Sequence, residues 1–116
     1  MRDFAWRSGR ADIELPVEVA TEQGGSFPAA CKNIGTGGVF VATEQLCKVG
    51  TRLSLKLQLP DQVNPISVGA EVRWTRPGDP VAPEVRPPGM GLRFVNPPVN
   101  ALVLIHELLL TREGRT

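Results

Sequence analysis

The sequence predicts an all-β domain of six short antiparallel strands followed by one C-terminal helix. Apolar and polar residues alternate with a period of two along most of the chain, and glycine, proline, asparagine and aspartate separate the alternating segments. Near the C-terminus the period changes to that of a helix. The 116 residues suit a single domain with a core of its own. Many short strands with turn signals between them favour an antiparallel barrel or sandwich.

The first predicted strand covers residues 11–21 and places Asp12, Glu14 and Glu18 on the side opposite its apolar row. Pro16 falls on this outer side, which favours an edge or bulge position because proline has no backbone N–H. Two shorter strands, residues 27–33 and 37–43, flank a turn rich in glycine. The predicted inward rows are Ile13, Leu15, Val17 and Val19; Leu53, Leu55, Leu57 and Leu59; Ile66, Val68, Ala70, Val72 and Trp74; and Met90, Leu92 and Phe94.

Residues 77–89, "PGDPVAPEVRPPG", connect the fifth and sixth predicted strands. Their five prolines prevent pairing within a sheet, so we expect an exposed arch.

The last predicted element is a helix over residues 97–113, with Asn96 as its N-cap and Gly114 beyond its end. Val103 and Leu110 lie together among the polar residues, outside the main apolar arc. Such a pair indicates a second contact surface, for a protein partner or another copy of the chain, although isolated surface apolar residues are also common. The arc that we expect to cover the barrel comprises Ala101, Leu102, Leu104, Ile105, Leu108 and Leu109.

Charge and composition argue against several classes of function. Acidic and basic residues nearly balance, at a formal net charge of +1, which disfavours general binding to DNA or to an anionic membrane. Cys31 and Cys47 are too far apart for a CxxC motif, so we expect small barrel residues in a reduced, cytoplasmic protein. His106 has no obvious catalytic partner and is expected to be solvated. We predict no catalytic residue, no metal site, no cofactor and no enzymatic activity.

Neither end of the sequence has the features of a targeting segment. The N-terminus is charged from its second residue and lacks the apolar core of a signal peptide. The longest apolar run, near the C-terminus, is too short to span a bilayer. We therefore expect no membrane span.

Three motifs occur in order along the chain. They are "WRSGR" before the first strand, "NIGTGG" (from Asn33) between the second and third, and "PPGMGLRF" before the helix. Together they resemble the PilZ domain family over roughly Trp6 to Leu110. The resemblance implies a six-stranded antiparallel β-barrel over residues 12–96, a flexible N-terminal arm over residues 1–11 and the C-terminal helix. It also implies the family's usual ligand, the bacterial second messenger cyclic di-GMP.

The resemblance assigns candidate site residues and also shows two departures from the family pattern. In the family's RxxxR motif the second arginine corresponds to Arg10, but the first corresponds to Trp6. In its (D/N)xSxxG motif the serine corresponds to Gly35, so a hydroxyl is missing. Trp6 is instead a candidate for stacking on a base. The implied cyclic di-GMP ligands are Arg7, Arg10, Asn33, Gly35 and Gly38.

Three other residues of the last two strands could lie near this site. Arg73 and Arg93 are outward positions, either solvated, which we favour, or part of a basic rim. Trp74 is expected in the core rather than on a ligand.

Two functional hypotheses follow. The chain is either a cyclic di-GMP receptor with a degenerate site that regulates a protein partner in motility, polarity or exopolysaccharide production, or a PilZ-like adaptor that binds no nucleotide and acts through Val103 and Leu110. In the second case the glycines of "NIGTGG" only close the barrel.

Overall fold

The computed structural model describes residues 10–82 and 84–114. Trp6 and Arg7 therefore lie outside the described residues. The first strand already begins at Arg10, two residues before the predicted start of the barrel. The elements are β1 (Arg10–Thr21), β2 (Ser26–Gly35), β3 (Gly38–Ala42), β4 (Arg52–Leu57), β5 (Ile66–Arg76), β6 (Gly89–Val95) and α1 (Val99–Gly114).

The six strands form a closed barrel in the order β1-β2-β3-β6-β5-β4. Every neighbouring pair is antiparallel, including β4 with β1, which closes the barrel. The predicted fold class is thus confirmed. Pro16 lies on a strand paired on both sides rather than at an edge, just after a shift in the β1–β2 pairing between Asp12 and Leu15. An edge or a bulge position was expected for this proline, and its place beside the register shift agrees better with a bulge.

The core is the barrel interior, closed on one side by the helix. The predicted inward rows are buried as expected, apart from Trp74 and the partly buried Ile13. On the helix Ala101, Ile105 and Leu109 are buried, and Leu104 and Leu108 pack partly buried against the core. Five of the six residues of the predicted arc therefore cover the barrel. The sixth, Leu102, is half-buried and lies beside Val103 and Leu110 instead.

The predicted start of the helix was wrong. The helix begins at Val99. In its first turn the Leu102 N–H donates a hydrogen bond to the carbonyl oxygen of Pro98 at 3.1 Å. Asn96 has a φ of 45° and lies in a bend three residues before the helix begins. The two prolines after Asn96 delay the helix because a residue that precedes proline avoids the α-helical region.

The predicted inward position of Trp74 was also wrong. The pairing of β5 with β6 shifts between Val72 and Trp74, so that Val72 lies opposite Leu92 and Trp74 opposite Gly91. One extra residue, Arg73, is thereby accommodated on β5. Because side chains alternate between faces, this extra residue turns Trp74 outward, and 47% of its surface is exposed.

Among the residues that the structure describes, no helix is long and apolar enough to cross a membrane.

Candidate functional site

A row of residues crosses five neighbouring strands on the outer face of the barrel. Strand pairing sets Asp12 beside Asn33, Asn33 beside Phe40, and Phe40 beside Gly91, which in turn lies beside Trp74. Residues directly opposite one another on paired strands share a face and touch. The row therefore joins a polar end, on β1 and β2, to an aromatic end, on β3 and β5.

The polar end is a hydrogen-bonded set of three side chains. Arg10 Nε donates to Asn33 Oδ1 at 2.7 Å, and Arg10 Nη2 donates to the same oxygen. The Asn33 amide nitrogen donates in turn to Asp12 Oδ1 at 3.1 Å. These bonds fix the orientation of the Asn33 amide. Among the described residues, no other hydrogen bond involves the remaining N–H groups of the Arg10 guanidinium. A guanidinium can bind an acceptor such as a guanine edge or a phosphate through groups of this kind.

The turn between β2 and β3 is attached to strand β6. The carbonyl oxygen of Gly37 accepts a hydrogen bond from Phe94 N–H at 2.9 Å. A Cβ atom at Gly38 would collide with the carbonyl oxygen of Leu92 and lie 3.2 Å from the Cα of Arg93. Gly38 is thus required by the close approach of two strands, whereas a Cβ at Gly37 would meet nothing within 4 Å. Barrel packing alone accounts for glycine at position 38.

The aromatic end is a stack of two rings on the outside of the barrel. The Phe40 and Trp74 rings have centroids 5.5 Å apart and planes 17° apart, and the Arg76 guanidinium lies 4.9 Å from the Phe40 centroid. Trp74 covers Gly91 and Phe40 covers Gly89, so a Cβ at either glycine would collide with a ring. The two glycines of "GMG" therefore provide the flat surface on which the rings lie.

A cavity of about 350 Å³ lies between the polar and aromatic ends. Three of the five ligand residues that the resemblance implied line it: Arg10, Asn33 and Gly38. Gly35 is buried opposite Arg10 and is not among the lining residues, and Arg7 lies outside the described residues. The lining also includes Trp74, Arg73 and Arg93, which we had expected in the core or in solvent.

These additional lining residues could have been suspected from one signal in the sequence. Gly89 and Gly91 are both at outward positions of a strand, where a missing side chain indicates that something large lies over the backbone. Identifying Trp74 as the covering residue needed the strand register.

The charges beside the cavity are paired but accessible. Arg93 Nη2 lies 2.5 Å from Glu71 Oε1, and 51% of the Arg93 side chain remains exposed. This hydrogen bond is the main cause that lowers the pKa of Glu71, and the positive charges of Arg93, Arg52 and Arg73 lower it further. Three arginines therefore act on the Glu71 carboxylate at this side of the cavity.

A second surface feature lies on the exposed side of the helix. Val103 and Leu110 are 48% and 52% exposed, as predicted, and His106 is also exposed, as expected. Thr36, from the turn between β2 and β3, borders the same shallow hollow of about 550 Å³. That turn therefore contributes Thr36 to the helix surface and Gly37 and Gly38 to the cavity.

The model of the PilZ domain family matches residues 5–111. The chain belongs to the PilZ domain family. A search of curated proteins finds no match.

Solved structures share the fold at low sequence identity. The inhibitor of motility MotI/DgrA from Bacillus subtilis has a TM-score of 0.76 and 22% identity over 92% of this chain and 50% of its own. YcgR from Escherichia coli, solved in complex with cyclic di-GMP, has a TM-score of 0.70 and 14% identity over 91% of this chain and 46% of its own. The PilZ domain of CeSA from a cellulose-synthesizing bacterium has a TM-score of 0.63 and 18% identity over 90% of this chain and 97% of its own. This chain thus spans about half the length of MotI and YcgR.

Proposed function

We propose that the chain is a cyclic di-GMP receptor that acts on a protein partner. The observation that carries this proposal is a single cavity that joins the Arg10–Asn33 pair to the exposed ring of Trp74. Family membership and the likeness to YcgR, which was solved with cyclic di-GMP, support the choice of ligand.

The chemistry of the cavity suits a dinucleotide. A guanidinium such as that of Arg10 presents a planar fork to a guanine edge or a phosphate, and the amide of Asn33 can bond a base edge. A base also needs an aromatic or guanidinium face to stack on, and Trp74 offers one that is 47% exposed. Trp6, at the first arginine position of the family motif, remains a prediction for a second stacking contact.

The affinity is expected to be lower than a complete motif would give. Gly35 supplies no hydroxyl, and the arginine spacing is Arg7–Arg10 rather than RxxxR. Each lost hydrogen bond to a charged group weakens binding by roughly 1.5–3 kcal/mol. Two such losses lower the affinity by about two to four orders of magnitude.

The output of the receptor is proposed to be a protein contact in the control of motility, polarity or exopolysaccharide production. MotI is described as an inhibitor of motility, and CeSA comes from a cellulose-synthesizing bacterium, which supports processes of this kind. The exposed pair Val103 and Leu110 is the candidate contact surface, for a partner or for a second copy. A cytoplasmic location remains a prediction from the sequence.

A second candidate is an adaptor that binds no nucleotide. It is favoured by Gly35 at the serine position of the motif and by the exposed apolar surface around Val103 and Leu110. In that case the barrel is a scaffold and the helix surface carries the function.

Calorimetric titration with cyclic di-GMP, with GTP as the ligand control, distinguishes the two candidates. The receptor requires saturable binding of cyclic di-GMP that Arg10→Ala abolishes. Lys56→Ala is the matched control because Lys56 is a cation exposed on β4 that does not line the cavity. Absence of heat and of any shift in melting temperature at high ligand concentration would support the adaptor. Full affinity in Arg10→Ala would show that the ligand does not bind at the assigned site.

A further inference from the structure

A row of alternating charges leads away from the proposed site across the barrel. Strand pairing sets Gly38 beside Arg93, Arg93 beside Glu71, and Glu71 beside Arg52. This row lies next to the row that contains Phe40, Gly91 and Trp74, on the same outer face. It starts at Gly38, a residue of the cavity, and its first charged member is Arg93.

Arg93 is both a lining residue of the cavity and the partner of a carboxylate. Its Nη2 atom lies 2.5 Å from Glu71 Oε1, while 51% of its side chain remains exposed, compared with 21% for Glu71. A guanidinium has five N–H donors, so one contact to Glu71 leaves several for another anion. Arg73, from the shifted segment of β5, lines the same cavity.

The site lacks one donor that the family motif provides. Gly35 has no hydroxyl to offer a ligand phosphate, and the structure does not bring Gly35 to the cavity wall. Arg93 and Arg73 are charged donors at that wall, and a charge-assisted bond to phosphate is stronger than one from a neutral hydroxyl.

We propose that Arg93, assisted by Arg73, binds a phosphate of cyclic di-GMP, and that Glu71 is an internal competitor that lowers the affinity. The inference rests on the proposed function because it takes the same ligand. The Glu71 carboxylate occupies one donor of Arg93, partly neutralises its charge and repels the incoming phosphate. The phosphate therefore binds more weakly than it would to an unpaired Arg93. Glu71 thus sets the ligand concentration at which the receptor responds.

The test is calorimetric titration with cyclic di-GMP of four proteins: wild type, Glu71→Gln, Arg93→Gln and the double variant. Glu71→Gln is expected to tighten binding by about two- to five-fold, the range of one exposed ion pair. Arg93→Gln is expected to weaken it by about tenfold or more because a charge-assisted bond is lost. The double variant should bind like Arg93→Gln, since Glu71 acts through Arg93.

The matched control is Glu14→Gln. Glu14 also belongs to an exposed cross-strand ion pair, with Lys32 at 2.9 Å, but does not line the cavity. Its removal changes the net charge by the same amount, so any general electrostatic gain appears in both variants. Melting temperatures of all variants verify that the barrel is folded.

The outcomes separate the two proposals. If the wild type binds and Glu71→Gln does not bind more tightly than Glu14→Gln, the competitor role is wrong while the receptor stands. The same conclusion follows if Glu71→Gln still tightens binding in the Arg93→Gln background. If Glu71→Gln binds cyclic di-GMP and the wild type does not, the competitor role is supported, because Glu71 then prevents binding altogether. If neither protein binds, the receptor function fails and this inference fails with it.

Discussion

Arg10 Nε donates a hydrogen bond to Asn33 Oδ1 at 2.7 Å, which joins the first residue of β1 to the last polar residue before the β2–β3 turn. The two residues are 23 positions apart in sequence. Their pairing orients the Asn33 amide and holds the Arg10 guanidinium at the cavity wall. The proposed site is therefore partly organised before any ligand arrives, which lowers the entropy lost on binding.

The first prediction concerns the glycines of the turn. Gly38→Ala is expected to destabilise the barrel by about 1–3 kcal/mol because the new methyl group would collide with the backbone of Leu92. Gly37→Ala is the control, since its Cβ would meet nothing within 4 Å, and its effect should stay within about 0.5 kcal/mol. Urea unfolding measures both values. Equal stabilities for the two variants would contradict the packing role of Gly38.

The second prediction concerns Trp74. Trp74→Ala is expected to weaken cyclic di-GMP binding by about 5- to 100-fold, the range for one stacked base, and Trp74→Phe by less. In a Trp6→Phe background Trp74 is the only tryptophan, so its fluorescence should change as the ligand saturates the protein. Tight binding of cyclic di-GMP with unchanged Trp74 fluorescence would show that no base stacks on Trp74.

The third prediction concerns the helix surface. The double variant Val103→Gln/Leu110→Gln should keep the melting temperature of the wild type, because both side chains are about half exposed. It should lose association, with itself or with a partner, as measured by sedimentation. Ile105→Ala, on the buried face, is the contrasting control and should cost about 2–5 kcal/mol of stability. Undiminished association in the double variant would show that the helix surface is not the interface.

The fourth prediction is a loss of stability at alkaline pH. Burial raises the pKa of the Cys31 thiol from 9.0 to about 11, although a backbone hydrogen bond at Asn33 and the charge of Arg10 oppose the shift. Between these two values the unfolded chain loses this proton and the folded protein keeps it, so stability falls as the pH rises. The loss attributable to Cys31 amounts to roughly 2–3 kcal/mol.

Urea unfolding of wild type and Cys31→Ala at about pH 8 and about pH 10.5 measures the contribution of Cys31 to the loss of stability. The wild type should lose more stability between the two conditions than the variant. Lysine titration is common to both proteins and cancels, and the chain has no tyrosine. The same loss in both proteins would exclude Cys31 as the cause.

The parts of the fold that depend on local pattern could be predicted from the sequence. Alternation placed the rows from Leu53 to Leu59 and from Met90 to Phe94 correctly, and the helical period identified the arc that contains Ile105. Trp74 was misplaced because a single extra residue on β5 reverses every later side chain, and the sequence carries no local mark of that shift.

Some residues of the candidate site could likewise be predicted from the sequence, and others could not. Arg10, Asn33 and Gly38 could be named from motifs that resemble a family, and the structure brings them to one cavity. Trp74 and Arg93 reach that cavity through the register of β5 with β6, a non-local property that spacing along the chain does not encode.

The most direct test of the central claim is to map the ligand by amide and indole NMR shifts during titration with cyclic di-GMP. The account predicts shifts that saturate together at Arg10, Asn33, Gly38 and the Trp74 indole N–H, with smaller changes at Lys56 on the far strand β4. Saturable shifts confined to another face of the barrel, or none at any concentration, would contradict it.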